Sequence, residues 1–430
     1  MNRIGFATIA AAVAIAGTSL IAGPARAGGT TVLYVGPTGS GTTGCTHSAP
    51  CDFVTTLAAA TSGTTLIMEP GSYGSSVAPI PSELDVVAGV TLKGDPGQPM
   101  PTIYSTRLGV SLAVEGGMLS RVRVITNGND DIALDMYGGA AVDHVISIDA
   151  GSEPACYLPG SATLTDSICT DASGDALAVF DGDSGSSFQA VLRGVTLYSP
   201  TGHGLSVANA TGSTGSTTVT NSIVHGGGGD IELATSGAGA AITLTLDHDD
   251  YATLHSSRAD GSSITVVRPA GNRSAAPKFV NAASGDFREA AGSPTIDAGA
   301  ADTGTDLAGR PRTLGSRPDI GAYELPERPR VSGVHVIKRT AHGLTIGASV
   351  LPGGYATTAK VVATHHGHHF SSATKSAGAG TTPKTMSFTV RGLHPHRTYH
   401  VSVVATNHVG TTKTAPKTVA TKRLHRRHHH

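Results

Sequence analysis

Apolar and polar residues alternate along most of the chain in runs too short for helices. Five segments share one pattern, an apolar residue, two polar or turn residues, a small or β-branched residue, one free position, and an apolar or small residue. These are LSRVRV from 119, VDHVIS from 142, LTDSIC from 164, LRGVTL from 192 and VTNSIV from 219, so the pattern returns every 22 to 28 residues. Such a repeat predicts a parallel β-solenoid, whose coils bury their apolar faces against each other. A sandwich of β-hairpins is the competing fold, but its turns favour Asn-Gly or Asp-Gly at fixed places.

The repeat also aligns a set of polar residues. The third position of the five segments holds Arg121, His144, Asp166, Gly194 and Asn221. Adjacent parallel strands lie about 4.8 Å apart, so these residues are expected to form an outward polar column. His144 and Asp166, with Arg193 in the neighbouring column, are the best acid–base candidates, because a carboxylate near a cation suits proton abstraction or donation to a leaving group. The alternative is a solvated ladder of bend residues that satisfy turn amides.

The first 27 residues have the pattern of a cleaved secretory signal. Arg3 provides a basic start, an apolar run extends from Ile4 to Ala22, and an Ala-x-Ala site ends at Ala27. We therefore expect an extracellular protein, with association at the cell surface left open.

Export permits disulfide bonds, and the four cysteines are an even number. Cys45 and Cys51 are close enough in sequence to close one small loop. Cys156 and Cys169 are a second pair, unless they fill the core as free thiols.

The segment from 34 to 73 reads YVGPTGSGTTGCTHSAPCDFVTTLAAATSGTTLIMEPGSY. It resembles the N-terminal cap and first coil of secreted right-handed parallel β-helix proteins, the pectate-lyase-like superfold. The resemblance implies that a short helix, over Asp52 to Ala60, covers the open end of the first coil. A cap is physically required there, because the first coil otherwise exposes core and an unpaired edge. We assign residues 28–325 to the β-helix.

The segment 278–324 is similar to the C-terminal end of bacterial β-helix proteins of the choice-of-anchor Q type. The matching residues are Asp286, Ser293, Pro294, Ile296, Asp297, Gly299, Asp306, Gly309, Arg310, Arg312, Asp319, Ile320, Gly321, Tyr323 and Glu324. We interpret it as a non-repetitive terminal cap in which aspartates accept backbone amides or pair with arginines. The alternative is a carboxylate-rich calcium or catalytic site.

Calcium is the cofactor that the sequence leaves open, although none is required. Acidic runs near Asp131, at Asp181 and Asp183, and at 247–250 are loop candidates for calcium. None matches an EF-hand or a nonapeptide calcium repeat.

A linker at 326–332 leads to a predicted sandwich at 333–421, followed by a basic, His-rich tail at 422–430. The run LHPHRTYHVSVVATNHVG resembles the end of a fibronectin type III domain. The matching residues are Leu393, Pro395, Tyr399, Val401, Val403, Ala405, Asn407 and Gly410. Tyr399 is expected to fix the corner of this sandwich, while the core Trp expected of the family is missing.

The two domains have opposite charge. Residues 331–430 contain 13 Lys and Arg with no Asp or Glu, whereas residues 28–330 contain 15 Lys and Arg against 31 acidic residues. Fourteen of the twenty His also lie in 331–430. The basic module is predicted to bind anionic material such as cell-wall polymer, acidic polysaccharide or lipid headgroups, more strongly below about pH 6. Alternatively it lies against the acidic solenoid, or its His-rich loops bind metals adventitiously.

Together these patterns predict a secreted, monomeric, all-β protein made of a right-handed parallel β-helix and a fibronectin type III-like sandwich. Its expected function is non-catalytic binding of glycans or the cell envelope, without a specific nucleic-acid partner. The absence of Trp means that sugar binding would rely on polar contacts more than on ring stacking. The alternative is a polysaccharide lyase or glycosidase that acts on an acidic polysaccharide through His144, Asp166 and Arg193.

Overall fold

The computed structural model describes residues 31–82, 84–106, 109–126, 131–182, 184–380 and 382–424. The predicted signal segment, the calcium candidate Asp183 and the last six residues of the predicted tail lie outside the described residues. Among the described residues, no helix has the length and hydropathy needed to cross a membrane.

The first part of the chain is a stack of short strands with one helix. The strands are β1 (Thr31–Gly36), β2 (Cys51–Asp52), β3 (Thr64–Met68), β4 (Ser72–Tyr73), β5 (Asp85–Val87), β6 (Thr91–Gly94), β7 (Thr102–Ser105), β8 (Gly109–Glu115), β9 (Met118–Ser120), β10 (Arg123–Thr126), β11 (Asp131–Tyr137), β12 (Ala140–Asp143), β13 (Ile146–Asp149), β14 (Cys156–Leu158), β15 (Ala162–Thr165), β16 (Ile168–Asp171), β17 (Leu177–Asp181), β18 (Ser187–Arg193), β19 (Thr196–Ser199), β20 (His203–Asn209), β21 (Thr214–Thr220), β22 (Ile223–Gly226), β23 (Gly229–Thr235), β24 (Ala241–Asp247), β25 (Leu254–Ser257) and β26 (Ser263–Val267).

These strands form three parallel sheets that wind around one core, which confirms the predicted parallel β-helix. Sheet A has the order β2-β1-β3-β6-β9-β12-β15-β18-β21-β24-β26. Sheet B has the order β22-β19-β16-β13-β10-β7-β4, and sheet C the order β25-β23-β20-β17-β14-β11-β8-β5. Sheet B therefore gains one strand with each of about seven coils.

The register of the strands follows the apolar repeat. The first apolar position of successive coils forms a buried stack in sheet A, made of Leu92, Leu119, Val142, Leu164, Leu192, Val219 and Leu246. Each such side chain contributes roughly 1.5–3 kcal/mol when it is fully buried. Because each member packs on the coils above and below, the repeat specifies the stacking.

The predicted helix at the N-terminal end is α1 (Phe53–Ala58), slightly shorter than expected. Asp52 caps it, because its Oδ1 accepts a hydrogen bond of 2.9 Å from the Thr55 amide. Phe53 and Leu57 are buried under the first coil. Both predicted disulfides, Cys45–Cys51 and Cys156–Cys169, are present.

The segment 278–324, here called the strap, contains β27 (Phe279–Asn281), a 3-10 turn (Ala282–Ser284) and β28 (Asp286–Glu289), and is otherwise irregular. The sequence predicts it as a cap over the end of the solenoid. It lies instead along the side, where Phe287, Leu307 and Ala322 pack against Ile168 outside sheet B. Because an aperiodic segment has no register of its own, the repeat did not reveal this lateral position.

The last part of the chain forms two antiparallel sheets, as expected of a β-sandwich. Its strands are β29 (Arg330–Arg339), β30 (Gly343–Leu351), β31 (Thr357–His365), β32 (His368–Ser371), β33 (Lys375–Gly378), β34 (Lys384–Arg391), β35 (Thr398–Asn407), β36 (Gly410–Lys413) and β37 (Lys417–Ala420). One sheet has the order β29-β30-β34, and the other β32-β31-β35-β36 with β33 beside β31 and β37 beside β35. β29 begins inside the predicted linker.

Candidate functional site

The predicted polar column occupies the turn between sheets A and B. Its members have left-handed backbone angles, with φ between 49° and 61° at Arg121, His144, Asp166, Gly194 and Asn221. His248 continues the column at φ 56°. Each non-glycine residue in this conformation costs roughly 1–2 kcal/mol, except that Asn and Asp tolerate it by local hydrogen bonding. The column therefore consists of bend residues, and each coil turns at one of them.

The strap lies over this column. Near its middle, His144 Nε2 and Thr305 Oγ1 share a hydrogen bond of 3.0 Å, and His144 Nδ1 lies 2.7 Å from Asp143 Oδ2. Burial disfavours the charged imidazole, but the hydrogen bond and the charge of Asp143 outweigh it and raise the pKa of His144. The side chain of His144 is 11% exposed. Both ring nitrogens are therefore engaged within the protein.

Asp166 lies at the centre of a cluster of charges, here called the seam cluster, formed by Asp166, Arg193, Asp302 and Arg312. Asp166 Oδ1 is 3.6 Å from Arg312 Nε, and Asp166 Oδ2 is 3.6 Å from Arg193 Nη2. Arg193 also forms an ion pair with Asp302. Burial raises the pKa of Asp166 to about 6 against the opposing effect of Arg312 and Arg193.

Arg312 is the strap residue that holds this cluster. Its side chain is fully buried, and it donates hydrogen bonds of 2.9 Å to the Gly321 carbonyl and 3.0 Å to the Asp319 carbonyl. Glu324 lies 3.7 Å from its Nη1. Burial, aided by the charge of Asp319, raises the pKa of Glu324 to about 9, so this carboxyl is neutral at pH 7. The positive charge of Arg312 therefore balances mainly the negative charges of Asp166 and Asp302.

Gly194 is required at its place in the column for two reasons. Its φ of 61° is unfavourable for a side chain, and a Cβ there would lie 2.8 Å from Asp166 Oδ1 and 3.2 Å from Arg312 Nη2. The last members of the column also contact the strap. Asn221 Oδ1 accepts a hydrogen bond of 2.6 Å from the Ala300 amide, and Arg317 reaches the ring of His248 at 3.1 Å.

The strap carboxylates mostly accept backbone amides. Asp306 receives the amides of Arg310 and Glu324, at 2.6 and 2.9 Å. Asp319 receives those of Asp297 and Leu325, at 2.7 and 2.6 Å. Within the described residues, no group of three or more His, Cys, Asp or Glu is arranged to hold a metal ion. The amide contacts of Asp306 and Asp319 are those that the structural interpretation of the motif predicts.

The structure thus brings His144, Asp166 and Arg193 together, but beneath the strap. Acid–base catalysis requires a group within hydrogen-bond reach of the substrate proton. Asp166 is 3% exposed and its charge is already compensated by two arginines. The catalytic role of His144, Asp166 and Arg193 stays a prediction. The contacts that they make attach the strap to the solenoid.

A pair that the sequence analysis missed lies where the chain enters sheet C, with His203 at the start of β20 and Asp175 just before β17. Asp175 Oδ1 accepts the backbone amide of His203 at 2.7 Å and lies 3.1 Å from its Nδ1, while Ser206 donates to Oδ2 at 2.5 Å. The hydrogen bond to Asp175 raises the pKa of His203. The two residues belong to neighbouring coils, so extending the repeat register to sheet C would have found them.

The six-stranded sheet of the sandwich carries the basic face, defined by Lys360, His369, His400 and Lys413. Lys360 and Lys413 pair with the same residue of β35, and His369 and His400 pair with the same residue of β31. All four side chains are exposed. These side chains therefore project from one sheet into solvent.

Only part of the basic module contacts the strap. Arg330 Nη2 lies 3.7 Å from Asp297 Oδ2, and the guanidinium of Arg310 lies 5.5 Å from the Tyr355 ring centre. At the opposite corner, Tyr399 Oη accepts a hydrogen bond of 2.8 Å from the His394 amide, as a corner tyrosine does. These contacts leave the basic face uncovered.

No protein-family profile and no curated protein matches the chain. Among solved structures, pectate lyase Pel9A is 13% identical, with 69% of this chain and 97% of that chain covered and a TM-score of 0.38. The sensor domain of the anti-sigma factor RsgI4 of Pseudobacteroides cellulosolvens is 18% identical, with 24% and 97% covered and a TM-score of 0.19. Chitinase ChiW of Paenibacillus sp. str. FPU-7 is 14% identical, with 74% and 24% covered and a TM-score of 0.18. The activities in these names belong to those proteins.

Proposed function

We propose that the protein is a secreted or cell-surface β-helix protein that binds glycans or other polymers of the cell envelope without catalysis. The observation that carries this proposal is the burial of the acid–base candidates predicted from the sequence, since His144 and Asp166 lie under the strap. The two disulfides suit an oxidising, extracellular compartment. Cleavage after Ala27 belongs to the same proposal.

The second part of the proposal is that the basic face anchors the protein to anionic material. Four exposed cationic or ionisable side chains on one rigid sheet create a local positive potential, and residues 331–430 contain no carboxylate side chain to offset it. Teichoic-type polymers, acidic polysaccharides and anionic headgroups share the negative charge that such a face attracts. The motif residues of the strap and of β35 further support assignment to the choice-of-anchor Q type and to fibronectin type III.

Retention of residues 28–430 on an immobilised acidic polysaccharide tests the anchor. We expect retention that weakens with salt and strengthens below about pH 6, where imidazoles gain charge. The double variant Lys360→Ser/Lys413→Ser should elute at lower salt. The matched control Lys338→Ser/Lys384→Ser removes the same charge from the other sheet and should elute closer to the unmodified protein. Equal shifts for the two variants would contradict a defined basic face.

The same preparation tests the absence of catalysis. Incubation with acidic and neutral polysaccharides, with and without calcium, is followed by absorbance at about 235 nm for unsaturated ends and by a reducing-end assay. We expect no product from any polymer. Product from any polymer would overturn the proposal, and its loss in a folded Asp166→Asn variant would assign the lyase or glycosidase activity to the column at His144 and Asp166.

A further inference from the structure

Among the described residues, the solenoid ends in a strand whose outer edge is unpaired and whose inward apolar side chains are only half-buried. In the described part of the chain, β26 is the last strand of sheet A and pairs only with β24. The inward residues Leu244 and Leu246 of β24 are fully buried, whereas Ile264 and Val266 of β26 are half-buried. The apolar core of the coil stack therefore reaches solvent at this end.

The opposite end is closed. There α1 covers the first coil with Phe53 and Leu57. The strap does not close the far end, because it lies along the side of the solenoid. Residues 268–277 follow the turn between sheets A and B, where Asn272 Nδ2 donates a hydrogen bond of 2.8 Å to the Leu246 carbonyl and Arg273 bridges to Asp250. The described part of the solenoid thus has one capped end and one open end.

The edge of β26 lacks the features that normally protect a sheet edge. Its sequence, SITVV, has no charge, proline or glycine, although natural edge strands use such residues to prevent pairing with other chains. The Ser263 amide donates a hydrogen bond of 2.9 Å to the Ala240 carbonyl inside the sheet. Because successive amides along a strand point to opposite sides, those of Ile264 and Val266 point to the open side. The edge presents free donors next to apolar side chains.

We propose that two copies of the protein associate tail to tail by antiparallel pairing of their β26 strands. With a two-fold axis at Thr265, Ile264 of one copy faces Val266 of the other, and both stay on the core side. Ser263 then faces Val267 on the outer side. The strand is therefore complementary to itself in the register that continues both sheet and core.

This pairing closes at two copies. A two-fold interface uses the same surface on both molecules, so the pairing occupies the β26 edge of each copy and leaves no β26 edge for a third. The expected product is a dimer, which differs from the monomer predicted from the sequence, and the pairing is independent of the glycan-binding proposal.

Cysteine cross-linking tests the register. On the proposed axis, the two Thr265 residues form a non-hydrogen-bonded pair with Cα atoms about 4.5 Å apart, which suits a disulfide. All four native cysteines are already paired. Mild oxidation of Thr265→Cys should give a covalent dimer. The matched control Thr243→Cys, opposite Thr265 on β24 and also exposed, should stay uncross-linked.

Analytical ultracentrifugation of the unmodified protein and of lysine variants tests the association itself. Thr265→Lys places two like charges opposite each other on the solvent face without touching the core, and should shift the protein from the mass of two chains to that of one. Thr243→Lys should stay at the mass of two. A single-chain mass for the unmodified protein, assemblies larger than two, or equal cross-linking of both cysteine variants would overturn the proposal. So would protection of the β26 amides from hydrogen exchange in a monomer, because another segment or partner would then cover the edge.

Discussion

Replacing Arg312 by methionine is the sharpest test of the seam cluster. The substitution keeps most of the side-chain volume but removes the cation that faces Asp166 and Asp302 at 3.6 and 3.8 Å. It also leaves the carbonyls of Gly321 and Asp319 without their donors. We expect the strap to loosen from the solenoid.

The magnitude follows from these contacts. One unit-charge contact at 3.6 Å is worth about 5 kcal/mol at an effective dielectric constant of about 20, before the cost of desolvation. Part of the loss is recovered because Asp166, whose pKa is already about 6, can take up a proton. The remaining loss is that of a broken buried ion pair, about 3–5 kcal/mol at pH 8. At pH 5 Asp166 is mostly protonated in both proteins, so the loss should be smaller.

Urea unfolding at pH 8 and pH 5 measures the change in the free energy of unfolding. Because the chain lacks Trp, the transition is monitored by the circular dichroism of its tyrosines. Limited proteolysis of the strap separates its release from unfolding of the sandwich. The control is Arg317→Met on the same strap, which should cost no more than about 1 kcal/mol because that side chain is exposed. A loss below about 1 kcal/mol for Arg312→Met, or an equal loss at both pH values, would refute the electrostatic argument.

Three further changes have defined outcomes. Burial raises the pKa of Asp135 to about 7, so on a fall in pH the folded protein protonates this carboxyl before the unfolded chain does. The stability that protonation provides is therefore complete below pH of about 4 and is lost as pH rises through about 7. Asp135→Asn should flatten the fall of Tm over that window, and an unchanged slope would contradict the assignment. Gly194→Ala should cost roughly 2–3 kcal/mol in urea unfolding, whereas Gly185→Ala, with similar φ but open space, should cost only about 1. Replacing Cys156 and Cys169 by alanine should lower stability by about 2–4 kcal/mol, and an unchanged unfolding midpoint would exclude a stabilising role.

Periodicity explains how much of the fold was predictable. Leu119, Val142 and Leu164 recur at coil spacing, so their stacking followed from the sequence. The column at Asp166 and Asn221 was found by the same register, because Asp, Asn and Gly favour the left-handed bends that separate sheets A and B. Its outward exposure was not predicted correctly, because the residues that cover it belong to the strap.

The strap itself has no period from which its partners could be read. Arg312 is far from Asp166 in sequence, and neither residue type reveals which of many opposite charges it meets. The motif showed that carboxylates and arginines cluster at 297–324, which correctly suggested amide acceptance by Asp306 and Asp319. The path of the strap along sheet B depends on apolar contacts such as that of Phe287 with Ile168. The surface that makes these contacts exists only once the coils have stacked.

The strap also decides which faces of the solenoid remain for a ligand. It covers sheet B and the turns between sheets A and B, so a polymer that follows the solenoid axis meets the outer faces of sheets A and C. Around β21 and β24, sheet A presents Thr218, Thr243 and Thr245, whereas Asp175 and His203 lie where the chain enters sheet C. A neutral glycan suits the hydroxyl-bearing face, and the Asp175–His203 pair, whose side chains are each 27% exposed, adds hydrogen-bonding groups for a polar ligand. If the protein binds glycans as proposed, ligand contacts should map to these two regions and spare the column at His144, which the strap already occupies.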